Sequence, residues 1–185
     1  MKSKSHIYLL NIAVLVAAIF FSCRDRSSEI QEISKKYEGP METAYDISVF
    51  YTDSAQPKIH LKSPEVNRYK HAEKPYTEYP KGLYVEFFDE QGGVKSTLKA
   101  NYAIQWEAEG ITEAKSDVVV VNAKGETLNT EHLIWDEAKE KIYTEEFVKI
   151  ITEDQQIMGY GFEADQEFNS YLVRNIKGTI NIKDD

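Results

Sequence analysis

The strongest constraint on the fold is a period-two alternation of apolar and polar residues that begins near Ala44 and runs almost to the C-terminus. A strand turns successive side chains to opposite faces of its sheet, so this period predicts half-buried β-strands; a helix would need apolar residues three and four apart. Ile59 and Leu61 in PKIHLKS, Leu83, Val85 and Phe87 in GLYVEFFDE, and Leu98, Ala100, Tyr102 and Ile104 in TLKANYAIQW follow the alternation. The DVVVV run from Asp117 to Val121, IYTEEFVKII from Ile142 to Ile151 and SYLVRNI from Ser170 to Ile176 supply further strands. Between these segments lie Asp89-Glu90-Gln91-Gly92-Gly93, Asn122-Ala123-Lys124-Gly125 and Lys177-Gly178, residue types that suit tight hairpin connections. Short strands spaced about ten residues apart predict an all-β domain of antiparallel strands.

A weak internal repeat points the same way. Leu98–Val121 can be laid on Leu128–Ile151 with one gap, which brings Leu98 onto Leu128, Trp106 onto Trp135 and Val118 onto Val148. Each unit is then a pair of strands joined by an acidic turn. Stacked units of this kind predict a quasi-one-dimensional β-structure with a continuous interior stripe and an open strand edge at each end.

The N-terminal residues bear on location. Lys2 and Lys4 precede a nearly wholly apolar run from Ile7 to Phe21, with Asn11 as its one strongly polar interruption. This is the layout of a signal segment, and the run is short against the roughly 20 apolar residues a bilayer crossing needs. The sole cysteine, Cys23, follows in Phe20-Phe21-Ser22-Cys23, which resembles a bacterial lipobox but has Phe where Leu is favoured. The expected organisation is a signal peptide over residues 1–22, the lipidated Cys23 and a polar spacer over 23–43, and the folded domain over 44–185. An uncleaved N-terminal helix is the alternative anchor; either places the domain outside the cytoplasm. One cysteine allows no internal disulfide, so stability rests on the core. The formal net charge of −9 disfavours nucleic acid and anionic headgroups. An anionic lipid would therefore have to be gripped by its tails.

Three motifs follow one another between Lys124 and Gly178. The first runs Gly125, Leu128, Thr130, Leu133, Trp135-Asp136; the second Ile142, Thr144, Val148, Ile150; the third Gly159, Gly161-Phe162, Ala164. Their order and spacing resemble the LptC family, within the OstA-like lipopolysaccharide transport proteins, and the stretch from Pro75 to Gly110 looks like the LptC branch. The resemblance spans about Tyr51 to Ile182. It implies an open antiparallel β-jellyroll, V-shaped and taco-like, at the periplasmic face of the inner membrane. It also implies a non-enzymatic function in lipopolysaccharide export. An apolar groove would receive the acyl chains of lipid A from LptF/LptG-type jellyroll subunits of an ABC transporter and pass them to an LptA-type bridge protein. The residues expected to line that groove are Leu83, Val85, Phe87, Leu98, Tyr102, Ile104, Val118, Val120, Leu128, Leu133, Ile142, Val148, Ile150 and Phe162. The expected docking edge is the last strand, with Tyr171, Val173, Ile176 and Gly178.

Other chemistries have little support. His6, His60, His71 and His132 lie far apart with no metal-binding spacing, and are read as surface residues. Asp136, Glu137, Glu145 and Glu146 are read as a solvated face in or beside turns. There is no G-x-x-x-x-G-K-[ST], and Gly159-Tyr160-Gly161 is an isolated pair in a strand-like context. Trp106 and Trp135 are expected to end a strand or line the mouth of the groove. No cofactor is expected. The alternative function is a lipid-anchored envelope β-sandwich that serves only as a protein-interaction or glycan-binding module.

Overall fold

The computed structural model describes residues 39–165, 168 and 170–177; the apolar leader, Cys23, the spacer before Gly39 and Gly178 lie outside them. The described residues form eleven antiparallel strands and no helix. These are β1 (Glu42–Asp53), β2 (Gln56–Tyr69), β3 (Tyr76–Tyr79), β4 (Leu83–Phe88), β5 (Val94–Ala100), β6 (Tyr102–Trp106), β7 (Ile111–Asn122), β8 (Thr127–Asp136), β9 (Lys141–Ile151), β10 (Gln156–Asp165) and β11 (Tyr171–Ile176).

Pairing shows why four of these strands, β3 to β6, are short. One half of β2 pairs with β4 and the other with β3, while β3 pairs with β6 and β4 with β5. The pairs β3–β4 and β5–β6 are thus single passes of the chain, each broken in the middle. With that allowance the chain is an up-and-down meander in which every pass pairs with the next, and β1 and β11 lie at its two ends. Hairpins at Asp89–Gly93 and Asn122–Glu126 close with side-chain caps: Asp89 accepts from the amides of Gln91 and Gly93, and Asn122 from those of Lys124 and Glu126.

Most passes break at the same level. The pairing register slips between Lys115 and Val118, between Thr130 and Ile134, and between Tyr160 and Phe162. Left-handed backbone occurs there at Ser116 (φ 63°), Asp117 (φ 55°) and Gly161 (φ 78°), and again at Gly82 (φ 81°) between β3 and β4. Across the break, the Asn101 amide donates to the Ser116 carbonyl at 2.9 Å and the Ser63 hydroxyl to the Gly82 carbonyl at 2.8 Å. A bulge bends its strand and sharpens the local twist, so a line of them across neighbouring strands is a crease. The sheet folds along it into two half-sheets that face each other, which is an open β-jellyroll. Val118, Val120, Leu128, Ile142, Val148, Ile150 and Phe162 pack into one core cluster; Val66, Tyr79, Leu83, Val85 and Ala103 form a second, and Leu98 touches both.

The crease corrects the expected register of β6. The alternation through Leu98 and Ala100 does not continue to Tyr102, because Asn101 intervenes and Ala103 is the fully buried residue. The Tyr102 hydroxyl donates to Glu78 at 2.9 Å, and Trp106 donates from Nε1 to Glu113 at 3.2 Å while its ring tilts against Tyr76. Tyr102 and Trp106 therefore face away from the space between the half-sheets. Ile104, between them in the alternation, shares their face; it is buried there but joins neither core cluster. The repeat is likewise gapless: Leu98 faces Val120 as Leu128 faces Ile150, an offset of 30 residues on both strands. That offset sets Gln105, not Trp106, in the place of Trp135.

Gly82 tests the crease. A Cβ there would stand 2.3 Å from the Ala100 carbonyl oxygen, whereas one on Gly92, with the same left-handed backbone, would meet nothing within 4 Å. Gly92→Ala should cost only the backbone penalty of about 1–2 kcal/mol in urea denaturation. Gly82→Ala should cost clearly more, because the clash adds to it.

Candidate functional site

Between the half-sheets lies a trough with room for about 260 Å³. One wall comes from β2, β4 and β5: Ile59, Leu61, Leu83, Val85, Phe87 and Leu98. Alternation turns all six to the same face of the half-sheet, and that wall is wholly apolar. The opposite wall comes from β6, β7 and β8: Gln105, Thr112, Ala114, Leu133 and Trp135, with Tyr51, Tyr79 and Glu137 completing the lining. Phe87 meets Trp135 edge-on at 6.3 Å between ring centroids. A second hollow of about 240 Å³ adjoins it, sharing Ile59, Phe87 and Trp135 and adding Lys58, Phe88, Lys95 and Ser96.

Toward β10 and β11 the space between the half-sheets is filled. Phe162 stacks on Phe168 at 6.1 Å and on Tyr171 at 6.0 Å, and the hollow left among Val120, Leu128, Ile150 and these rings holds only about 20 Å³. The trough is open along β2–β8 and packed shut beyond.

The structure sorts the expected groove residues accordingly. Leu83, Val85, Phe87, Leu98 and Leu133 line the open trough. Val120, Leu128, Ile150 and Phe162 surround the closed end, and Val118, Ile142 and Val148 are buried in the core beside it. Tyr102 and Ile104 belong to the outer face. Sequence reasoning left out Ile59 and Leu61, although both keep the same alternation as Leu83 and Val85. It also left out Gln105 and Thr112, which are polar, and Ala114, which is small. The gapless 30-residue offset would have placed Gln105 beside Trp135. Trp135 does line the trough, and its Nε1 is buried without a hydrogen-bond partner among the described residues. Trp106 does not line it.

The two ends of the meander are strand edges. Among the described residues β11 pairs only with β10 and β1 only with β2. On β11, Val173 packs inward and Tyr171 is half-buried, while Leu172 and Ile176 are exposed. On β1, Tyr45, Val49, Phe50 and Tyr51 are exposed. His60 holds β1 to the sheet and is buried, not on the surface as expected. Its Nε2 lies 2.8 Å from the Ser48 hydroxyl, its Nδ1 2.8 Å from Glu86, and its ring stacks on Phe50 at 3.8 Å. His132 is half-buried beside Glu113 at 3.1 Å. Asp136 is also buried, accepting from the Lys139 amide and ammonium group, and Glu145 and Glu146 lie within β9 instead of a turn. No three metal-ligating side chains converge among the described residues.

Burial pushes the Glu86 carboxyl up, but hydrogen bonds from His60 and Lys62 outweigh it and hold the group below its ordinary range. A carboxyl with a lowered folded-state pKa stabilises the fold above its unfolded value and loses that contribution as pH falls through the folded one. Glu86→Gln should therefore melt at a lower temperature than the parent at neutral pH. The gap should close in acid, below the ordinary carboxylate range, when both are followed by circular dichroism.

No curated protein matches the chain at a significant level. A family model described as "Lipopolysaccharide-assembly, LptC-related" matches residues 10–181.

Proposed function

Because the chain belongs to the LptC family, and so serves lipopolysaccharide export as a periplasmic protein of the cell envelope, we propose that its trough carries lipopolysaccharide by the acyl chains. The observation that carries this reading is the apolar wall of Ile59, Leu61, Leu83, Val85, Phe87 and Leu98, left open instead of being closed by the facing half-sheet. Ile59, Leu61, Phe87 and Leu98 are only half-buried along it, with Leu83 and Val85 buried between them, whereas Val148 and Phe162 in the packed core are covered from both sides.

Magnitudes set how such a trough can work. Burying a dozen methylenes at about 0.8 kcal/mol each gives roughly 10 kcal/mol for one chain, and several chains held so completely would not leave. An open trough covers the tails only in part, so transfer to a similar trough on the next protein proceeds at nearly equal free energy. Direction then comes from the transporter that loads it. The packed end at β10 and β11 keeps tails from running straight through, so they ride along the open side.

Photo-crosslinking side chains at Val85 and Leu98 should capture lipopolysaccharide, while the same groups at Lys99 and Tyr102, on the outer face, should not. Equal capture at both sets would remove the trough from the mechanism and favour a module that binds only proteins or glycans.

The exposed edges support strand addition as the means of assembly. In this reading β11 receives an LptA-type bridge protein and β1 an LptF/LptG-type jellyroll subunit. A crosslinker at Leu172 should then yield a product with the bridge protein, and one at Phe50 a product with the transporter. A swap of the two products would reverse the orientation of the chain in the bridge.

A further inference from the structure

The two walls of the trough differ in chemistry. Gln105 lies opposite Thr112, and Thr112 opposite Trp135, so these three form one row across β6, β7 and β8 near the strand ends. Residues directly opposite in adjacent strands hold their Cβ atoms about 4.5–5.5 Å apart, so the row is continuous on the scale of a hydrogen bond. All three line the trough. The indole N–H is buried and, among the described residues, unpartnered, which is unfavourable unless a ligand supplies an acceptor. Apolar tails supply none.

We propose that Gln105, Thr112 and Trp135 form a hydrogen-bonding station for the uncharged ester or amide carbonyl that joins an acyl chain to the lipopolysaccharide sugar. The assignment rests on the acyl-trough reading and adds to it a fixed depth for the lipid. The Trp135 indole donates to the carbonyl oxygen, the Gln105 amide and Thr112 hydroxyl provide further donors beside it, and the tail beyond lies against Leu83, Val85 and Leu98. The acceptor is a neutral carbonyl and not a free carboxylate because Glu137 lines the same trough and, among the described residues, no cation does; Lys58 and Lys95 border the adjoining hollow, which shares Trp135.

Two neutral amphiphiles of equal chain length separate this proposal from the reading beneath it. Decanoyl-N-methylglucamide carries an amide carbonyl at the head of its tail, and decyl glucoside carries none. Titrated below their micelle concentrations into the wild-type protein, the glucamide should bind roughly 3–10-fold more tightly, as one net hydrogen bond allows. Trp135→Phe should bring the ratio of the two affinities to about one, whatever its effect on each amphiphile alone, and the conservative Thr112→Val should reduce the ratio part of the way. Equal binding of both amphiphiles by the wild type, or a preference that survives in both variants, overturns the station and leaves the trough standing. Failure of both amphiphiles to bind the wild type overturns the trough reading itself. Lipid A should displace the glucamide at lower concentration than phosphatidylethanolamine vesicles do. The reverse order would overturn the assignment to lipopolysaccharide.

Discussion

The rest of the structure depends on the slip of one residue in strand pairing that recurs at the same level from pass to pass. A regular antiparallel sheet keeps one face apolar from end to end and has to find a second layer to cover it. Here the second layer is the same sheet. The register slips, with left-handed residues at Gly82, Ser116-Asp117 and Gly161 on three of the passes, fold the sheet so that the face presented by Leu83 and Val85 meets the face presented by Ala114 and Leu133. Two walls, a crease and an unclosed mouth follow from that single irregularity.

How far the walls close depends on what fills them. At the β10–β11 end, Phe162, Phe168 and Tyr171 occupy the gap. Along β7 the corresponding positions are Ala114 and Thr112, too small to reach across, and the space stays open. Side-chain volume on one wall thus decides where the molecule has a core and where it has an open trough, with no change in backbone topology.

Most of the fold was legible in the sequence because alternation is a property of each strand alone. Leu83, Val85, Phe87 and Leu98 needed nothing beyond their own neighbours to be placed, and the motif that carries Leu133 and Trp135 placed the rest of the domain. What was not legible depended on pairing. Asn101 looks like one more polar residue in an alternating strand, and only its hydrogen bond to Ser116 on the next pass reveals that the phase changes there. Tyr102 and Ile104 were misassigned for that reason. His60 looked like a surface histidine because its partners, Ser48 and Glu86, come from strands on either side of it. The polar row escaped notice because a search for apolar lining passes over Gln105 and Thr112.

The gapless repeat has a consequence for length. Two strands and one crease recur every 30 residues with the same inward positions, so the sheet behaves like a gutter assembled from sections of one backbone plan, open or filled according to the side chains each carries. Inserting or deleting one section would change its length by about 10 Å, two strand spacings, without altering the backbone plan. A lineage built on this plan can lengthen or shorten its gutter by counting sections, leaving the strand pairing of each one as it is.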